Sequence, residues 1–389
     1  MKKIIIGISL IIGVSIFCCA NFIKRNNNIP VKTTIQFASW GSESETKILK
    51  NVLDDFEKEN PKIKVDFMHI PQNYFQKIHL LFASNTSPDV LFINNQYLPV
   101  YANAGVLEDL TPYYDSFEYN KFYDKSIQTL SWQNKNYAVP RDVSNLVIFY
   151  NKDIFKKYNV TLPKKNWTLN EFLGIAGKLT HSPEIFGVSF EDEPLFFFPY
   201  LTSYGVTDFT NFEDENFQNG LKFYADLRNK YHFAPYKKEA ASATMAQMFL
   251  QGKLAMYLSG RWMVPKFREE AKFDWDVIEF PCGQNNCSVP MDASGWAISK
   301  NSTHKDEAVK LVKYLSSKES SEKFTRSGLI VPARIDVAST SVFLDSQKPK
   351  NAKIFLSAIK NSNPTPVTVN FREVIDDMKI KTEYLFNKK

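Results

Sequence analysis

The chain is poor in the residues that most often carry chemistry. Its five histidines, at 69, 79, 181, 232 and 304 of 389 residues, are scattered and show no ligand spacing. It has no His-Glu-x-x-His pair and no Gly-x-Ser-x-Gly elbow. Those absences remove the usual marks of a zinc protease and of an α/β hydrolase. There are four cysteines, at 18, 19, 282 and 287. With no His beside Cys282 and Cys287, and no further Cys pair, a structural metal is disfavoured. No block of like charge stands out, and the net charge of +6 is modest for this length. Nothing resembles a nucleic-acid groove. Internal repeats are absent, and the only biased stretch is Asn-rich, from Asn21 to Asn28. The first apolar run, Ile4 to Phe17, is 14 residues long, shorter than the roughly 20 that a membrane span needs.

That short run is informative in itself. Lys2 and Lys3 precede it, Cys18-Cys19 ends it, and a polar tether follows. This is the layout of a secretory signal, and it resembles a bacterial lipoprotein signal in which a Cys becomes the acylated N-terminus. Cys19 fits that role better than Cys18, because Cys18 follows bulky Phe17. The alternative is a short uncleaved anchor. Residues 1–19 are read as signal and 20–32 as tether, which places the rest outside the cytoplasm. Export permits a disulfide between Cys282 and Cys287. The basic end, Asn387-Lys388-Lys389, reads as a solvated tail.

At roughly 100–200 residues per domain, the length suggests about two domains. Hydrophobic residues make up 44% and aromatics 14%, with 32 Phe, 18 Tyr and 6 Trp. The opening reads as strand, helix, strand, helix, strand. Thr34–Ser39 is a strand and Trp40-Gly41 a turn. Glu43 to Asn60 carries Ile48, Leu49, Val52, Leu53 and Phe56 at helical spacing. Ser42 is its N-cap, with Glu45 as the partner of a capping box. Ile63–Phe67 alternates like a strand, Gln72–Ala83 reads as helix, and Asp89–Ile93 as a buried strand. The pattern predicts a largely parallel α/β sheet with helices on both faces. A second module begins near Leu146–Tyr150, a strongly apolar strand. Leu254–Leu258 is another, and helical patterns cover 170–179, 217–230, 244–251, 265–271 and 306–316.

Several segments then resemble one family. Trp40-Gly41 with Phe56-Glu-Lys-Glu-Asn-Pro61, Phe82-Ala-Ser84 with Pro88-Asp89-Val90, and Tyr137-Ala-Val-Pro-Arg-Asp142 are three of them. Others are Phe149-Tyr-Asn-Lys-Asp-Ile-Phe155, Gly252-Lys-Leu-Ala-Met-Tyr257 with Gly260-Arg-Trp262, Ser294-Gly-Trp-Ala-Ile-Ser299, and Gly328 to Arg334. In that order they resemble extracellular solute-binding proteins of the maltose-binding type. The resemblance implies a two-lobed periplasmic-binding-protein fold of type II, each lobe a mostly parallel sheet flanked by helices. Three crossing segments would join the lobes. The first lobe would hold 33–140 plus 293–335, and the second 141–292 plus 336–389. It also implies a monomer that closes on a sugar or oligosaccharide and docks on the permease of an ABC importer. No catalytic residue, metal or cofactor is implied.

A sugar offers apolar faces and a rim of hydroxyls, so its site needs flat aromatics and charged or amide groups. Trp40, Trp262 and Trp296 stand beside Gly or where a strand meets a turn. They are the stacking candidates, with core or interlobe packing as the alternative; Trp132, Trp167 and Trp275 read as structural. For the rim, Glu45 and Tyr74 come from the first lobe. Asn94 and Asn95 follow a buried strand, at the end where open α/β sheets bind ligands. Arg141 and Asp142 flank the first crossing and either bond each other or the ligand. Asp292, Arg261 and Arg334 complete the set. The three arginines also suit an anion, which makes a glycerol-3-phosphate or glycerophosphodiester ligand the second reading. An exported carbohydrate-active enzyme would need two carboxylates across a cleft; Glu191-Asp192-Glu193 before Pro194 reads instead as an acidic loop. A sensory protein with the same lobes, reporting its ligand to a membrane receptor without transport, is the third.

Overall fold

The computed structural model describes residues 32–283 and 287–386. Cys18, Cys19, the tether through Val31 and the tail from Asn387 lie outside them, and so does the expected lipidation. Among the described residues, no helix is long and apolar enough to cross a membrane.

The opening folds as strand Thr33–Ser39, helix Glu43–Glu59, strand Ile63–His69, helix Tyr74–Ala83 and strand Val90–Asn94. Thr33–Ser39 pairs in parallel with both of the other strands and sits between them. Ser42 caps the first helix, its hydroxyl accepting from the Glu45 amide at 3.3 Å. Asn60 ends it, the amide returning to the Phe56 carbonyl. Leu49, Val52, Leu53 and Phe56, one helical stripe, are buried.

Two long strands then extend this sheet, Val139–Asn145 and Pro290–Ile298. Pro290–Ile298 runs antiparallel to Val90–Asn94 on one side and to Val139–Asn145 on the other. The short strand Val331–Pro332 closes the edge, again antiparallel. The expectation of a mostly parallel sheet therefore holds for the first three strands; the whole sheet is mixed. The boundaries expected at 140/141 and 292/293 fall inside these two strands.

The second sheet has four strands in the order Trp275–Ile278, Val147–Asn151, Leu254–Ser259, Phe186–Val188. Only the last pair is parallel. Successive residues of Val147–Asn151 serve two cores, as the period-2 geometry of a strand requires. Phe149 packs with Trp275 and Phe355, while Ile148 and Tyr150 join Phe155, Phe197 and Tyr200. The final helix, Phe371–Phe386, seats Phe386 against Phe190, Phe197 and Tyr224. The helix Lys353–Asn361 is capped from the first sheet's side: Lys125 Nζ donates to the carbonyls of Lys360 and Ser362 at 2.7 and 2.5 Å. Cys282 and Cys287 form a disulfide.

Candidate functional site

The three parallel strands end at one edge of the larger sheet. There they release Trp40-Gly41-Ser42, Ile70 to Gln72, and Asn95 to Tyr97. A cavity of about 1040 Å³ opens at this edge, with Trp40, Gly41, Glu45, His69 and Gln72 in its wall. Trp40 is half-buried. The edges of Tyr74, Phe75 and Phe92 hold its ring, with centroids 5.1, 5.0 and 4.7 Å away. Gly41 has φ +142°, a conformation that favours glycine, and a Cβ there would lie 2.9 Å from Glu45 Oε2. The turn therefore lies directly on the Glu45 carboxylate. His69, at the end of its strand, has Nε2 3.0 Å from the Gly41 carbonyl and 3.1 Å from Thr46 Oγ1. Donation to the carbonyl braces the same turn.

Glu45 does not complete a capping box. Its Oε1 accepts from Arg141 Nη1 at 2.7 Å, while Arg141 Nε donates to Asp142 Oδ2 at 2.5 Å. A bulge creates this arrangement. Asp142 pairs with Ser294 and Pro140 with Gly295, so Arg141 drops out of the ladder. Its carbonyl accepts from Ala333 instead, and its guanidinium lies over Phe92 at 4.2 Å. Burial opposes the charge on Arg141, but Asp142 and Glu45 outweigh it and hold the pKa above its ordinary value. The triad carries one more carboxylate than cation.

Asp292 stands on the neighbouring crossing strand. It accepts from Asn95 Nδ2 at 2.8 Å and Gln96 Nε2 at 3.3 Å. Burial raises its pKa, and the bonds from Asn95, Thr365 and Gln96 only partly offset that. Asn95 is itself buried, its Oδ1 accepting from the Ala293 amide, and Asn94 Oδ1 accepts from the Tyr97 amide. Both amides order the loop. Trp262 is half-buried in the turn after strand Leu254–Ser259, its ring against Gly260 so closely that a Cβ there would be 1.9 Å from Cζ3.

Four expected contacts sit elsewhere. Trp296 is fully buried, its ring among Phe37, Phe92 and Phe324, because its central strand is covered on that face by the helix Lys318–Arg326. Tyr74 is a buried brace whose hydroxyl donates to the Phe92 carbonyl at 2.8 Å. Arg334 is buried and held by Asp336, Glu118 and the Ser316 carbonyl. Arg261 is buried under Phe343 and Phe355, its Nε donating to the Gly328 carbonyl.

Sequence reasoning missed His69, having ended its strand at Phe67, and Gln72, which it placed in the following helix. It also missed Glu191. That residue follows strand Phe186–Val188, and its pKa is raised to about 7 by burial and then by Asp192 and Glu193. Asp192 pairs with Lys237 and Arg228, and Glu193 with Lys379. No cation pairs with Glu191 among the described residues.

Comparison with known proteins agrees with this architecture. A family model described as bacterial extracellular solute-binding protein matches residues 40–322. The chain belongs to that family. An ABC substrate-binding protein from Listeria monocytogenes, solved in complex with cycloalternan, superposes with a TM-score of 0.83 at 25% identity, over 92% of this chain and 94% of that one. The galactooligosaccharide-binding protein of Bacillus subtilis is 22% identical over 86% of this chain and 80% of its own length. UgpB from Mycobacterium tuberculosis, in complex with glycerophosphocholine, shares the fold with a TM-score of 0.75 at 16% identity, over 92% and 99%. Like those proteins, this family member has two α/β lobes with mixed sheets and flanking helices.

Proposed function

We propose that this solute-binding protein captures a sugar or oligosaccharide between its lobes and delivers it to the membrane subunits of an ABC importer. It carries out no reaction of its own. The observation that carries this reading is the cavity wall, where a half-exposed Trp40 stands beside Glu45, a carboxylate whose partner Arg141 is shared with Asp142. Such a wall offers an aromatic face and acceptors for hydroxyls. The Listeria and Bacillus relatives, which bind saccharides, support it.

The glycerophosphodiester reading rests on the likeness to UgpB and on free arginines. Arg141 and Arg334 are each bound by two carboxylates, and Arg261 lies among phenyl rings. A phosphate at Arg141 or Arg334 would have to displace those carboxylates, and none of the three arginines lines the cavity, so the sugar reading is preferred. Titration calorimetry with maltodextrins, galactooligosaccharides and glycerophosphocholine separates the two. Binding of glycerophosphocholine alone would overturn the proposal.

The lobes, 33–140 plus 293–335 and 141–292 plus 336–389, close on the ligand by a hinge motion. Trp40, Glu45, Trp262 and Asp292 meet it. Acylation at Cys19 anchors the protein at the outer side of the membrane, as a monomer. Intact mass of membrane-extracted protein tests the anchor. Solution scattering tests the hinge, since the radius of gyration falls when a cognate sugar is added.

A further inference from the structure

Arg261 and Arg268 come from one stretch of the second lobe, the turn Arg261–Met263 and the helix Val264–Glu270. Both reach the chain returning from the larger sheet. Arg261 Nε donates to the Gly328 carbonyl at 2.9 Å. Arg268 Nε donates to the Lys348 carbonyl at 2.6 Å, and its Nη2 lies 2.9 and 3.0 Å from the two oxygens of Asp345. Arg268 Nη1 is turned to the same glycine, 3.0 Å from the point a Cβ on Gly328 would occupy. Two guanidiniums therefore flank one residue, and only that of Arg268 is paired with a carboxylate. Lys348 Nζ is spoken for by Asp274 at 2.8 Å.

The junction has a surplus positive charge with little access to water. Arg261 is 3% exposed. Phe343 and Phe355 cover its guanidinium, with ring centroids at 4.6 and 5.3 Å. Its Nη1 is buried and finds no acceptor among the described residues. Burial, and then the charge of Arg268, push its pKa down to about 10 against the pull of Asp345, so it stays protonated at neutral pH. Native structures rarely leave a buried charged donor unmet, because it has lost water without gaining a partner.

We propose that this junction binds a small monovalent anion, chloride, held between Nη1 of Arg261 and Nη1 of Arg268 beside Gly328. The surplus is one charge, which a monovalent ion balances and a phosphate would exceed. Phenyl walls and near-complete burial suit a small, weakly hydrated ion. Because its donors hold the second lobe to the returning chain, the bound ion stabilises that junction.

Thermal unfolding of the full chain in sodium chloride against sodium gluconate, at equal ionic strength, tests the site. Gluconate is too large to enter. The melting temperature is expected to be about 2–4 °C higher in chloride, and Arg261→Met to abolish the difference. Crystals soaked in sodium bromide are expected to show an anomalous peak between the two guanidiniums. Equal melting in the two salts, or a chloride response that survives Arg261→Met, would overturn the proposal. If Arg261→Met does not fold, the wild-type bromide map decides: a water at Nη1 in place of bromide overturns it equally.

Discussion

Arg141 and Arg261 are both nearly sealed from water, at 9% and 3% exposure, yet one holds two carboxylates and the other none. Arg141 sits on a bulge in a crossing strand, where the ladder gives it up and Glu45 and Asp142 take it. Arg261 sits in a turn of the second lobe, stacked on phenyl rings, with one carbonyl for its Nε. The first arrangement ties a helix terminus to a strand through charge. The second fills an apolar junction with a charged group whose outer nitrogen is unmet. A buried charge is fixed by its partners and not by its depth, so the two sites should respond very unequally when the charge is removed.

Arg141→Met should have the largest effect. It strands two carboxylates in the interior, a change that typically costs about 3–5 kcal/mol, read as a fall in the urea midpoint. A loss below about 1 kcal/mol would mean that water reaches the triad and that the contrast with Arg261 is false. A second contrast separates tryptophans of the same type. Trp296→Ala should cost about 3–5 kcal/mol of stability and leave sugar affinity within a few-fold. Trp40→Ala and Trp262→Ala should cost less stability and weaken binding by roughly 10- to 30-fold, at 1.4 kcal/mol per tenfold. Unchanged affinity with a large drop in melting temperature would make either one a packing residue.

Glu191 extends the comparison to a charge that can be given up. Its folded pKa is raised to about 7 from an ordinary 4.5 by burial and by its acidic neighbours. The folded state holds that proton more tightly. The stability it provides is complete below about pH 4.5 and is lost as the pH rises through 7. Moving from pH 5 to 7.5 should therefore lower stability by on the order of 2 kcal/mol, allowing for partial exposure, and Glu191→Gln should flatten that limb. An unaltered pH profile in the variant would place the carboxyl in water. The smallest effect belongs to Arg261→Met in chloride-free buffer. An apolar side chain of similar length replaces a charge without a carboxylate, so stability should change by less than about 1 kcal/mol. A loss as large as that of Arg141→Met would erase the distinction between the two arginines.

Much of the first lobe was legible because its signals are local. The stripe from Leu49 to Phe56, the Ser42 cap and the alternation after Ile63 need no distant partner to be read. Strand direction does: nothing near Pro290–Ile298 says that it will run against Val90–Asn94, and the expected parallel sheet became a mixed one. The site divides in the same way. Trp40 beside Gly41 marked a strand running into a turn, and it does line a cavity. Trp296 beside Gly295 carried the same signal inside a strand covered on both faces. Glu45 read as a capping residue because its true partner, Arg141, is 96 residues away and is presented by a bulge that composition does not announce. Arg334 and Arg261 read as ligand donors because sequence shows a guanidinium but not the carboxylates or rings around it. Glu191 was hidden in an acidic run whose neighbours turn outward to lysines.

The larger sheet also dictates an order of events as the chain is made. Asn95 and Asp292, which meet at its centre, are 197 residues apart, and Val90–Asn94 gains its second neighbour only when Pro290–Ile298 arrives. At about 5–20 residues per second, the ribosome takes on the order of 10–40 s to supply that strand. Throughout that interval the first three strands present a bare hydrogen-bonding edge, of the kind that recruits other chains. Contacts of such sequence separation are also slow to form once both ends exist. The first lobe is thus among the earliest parts to be started, yet its sheet is completed only after most of the second lobe has been synthesised.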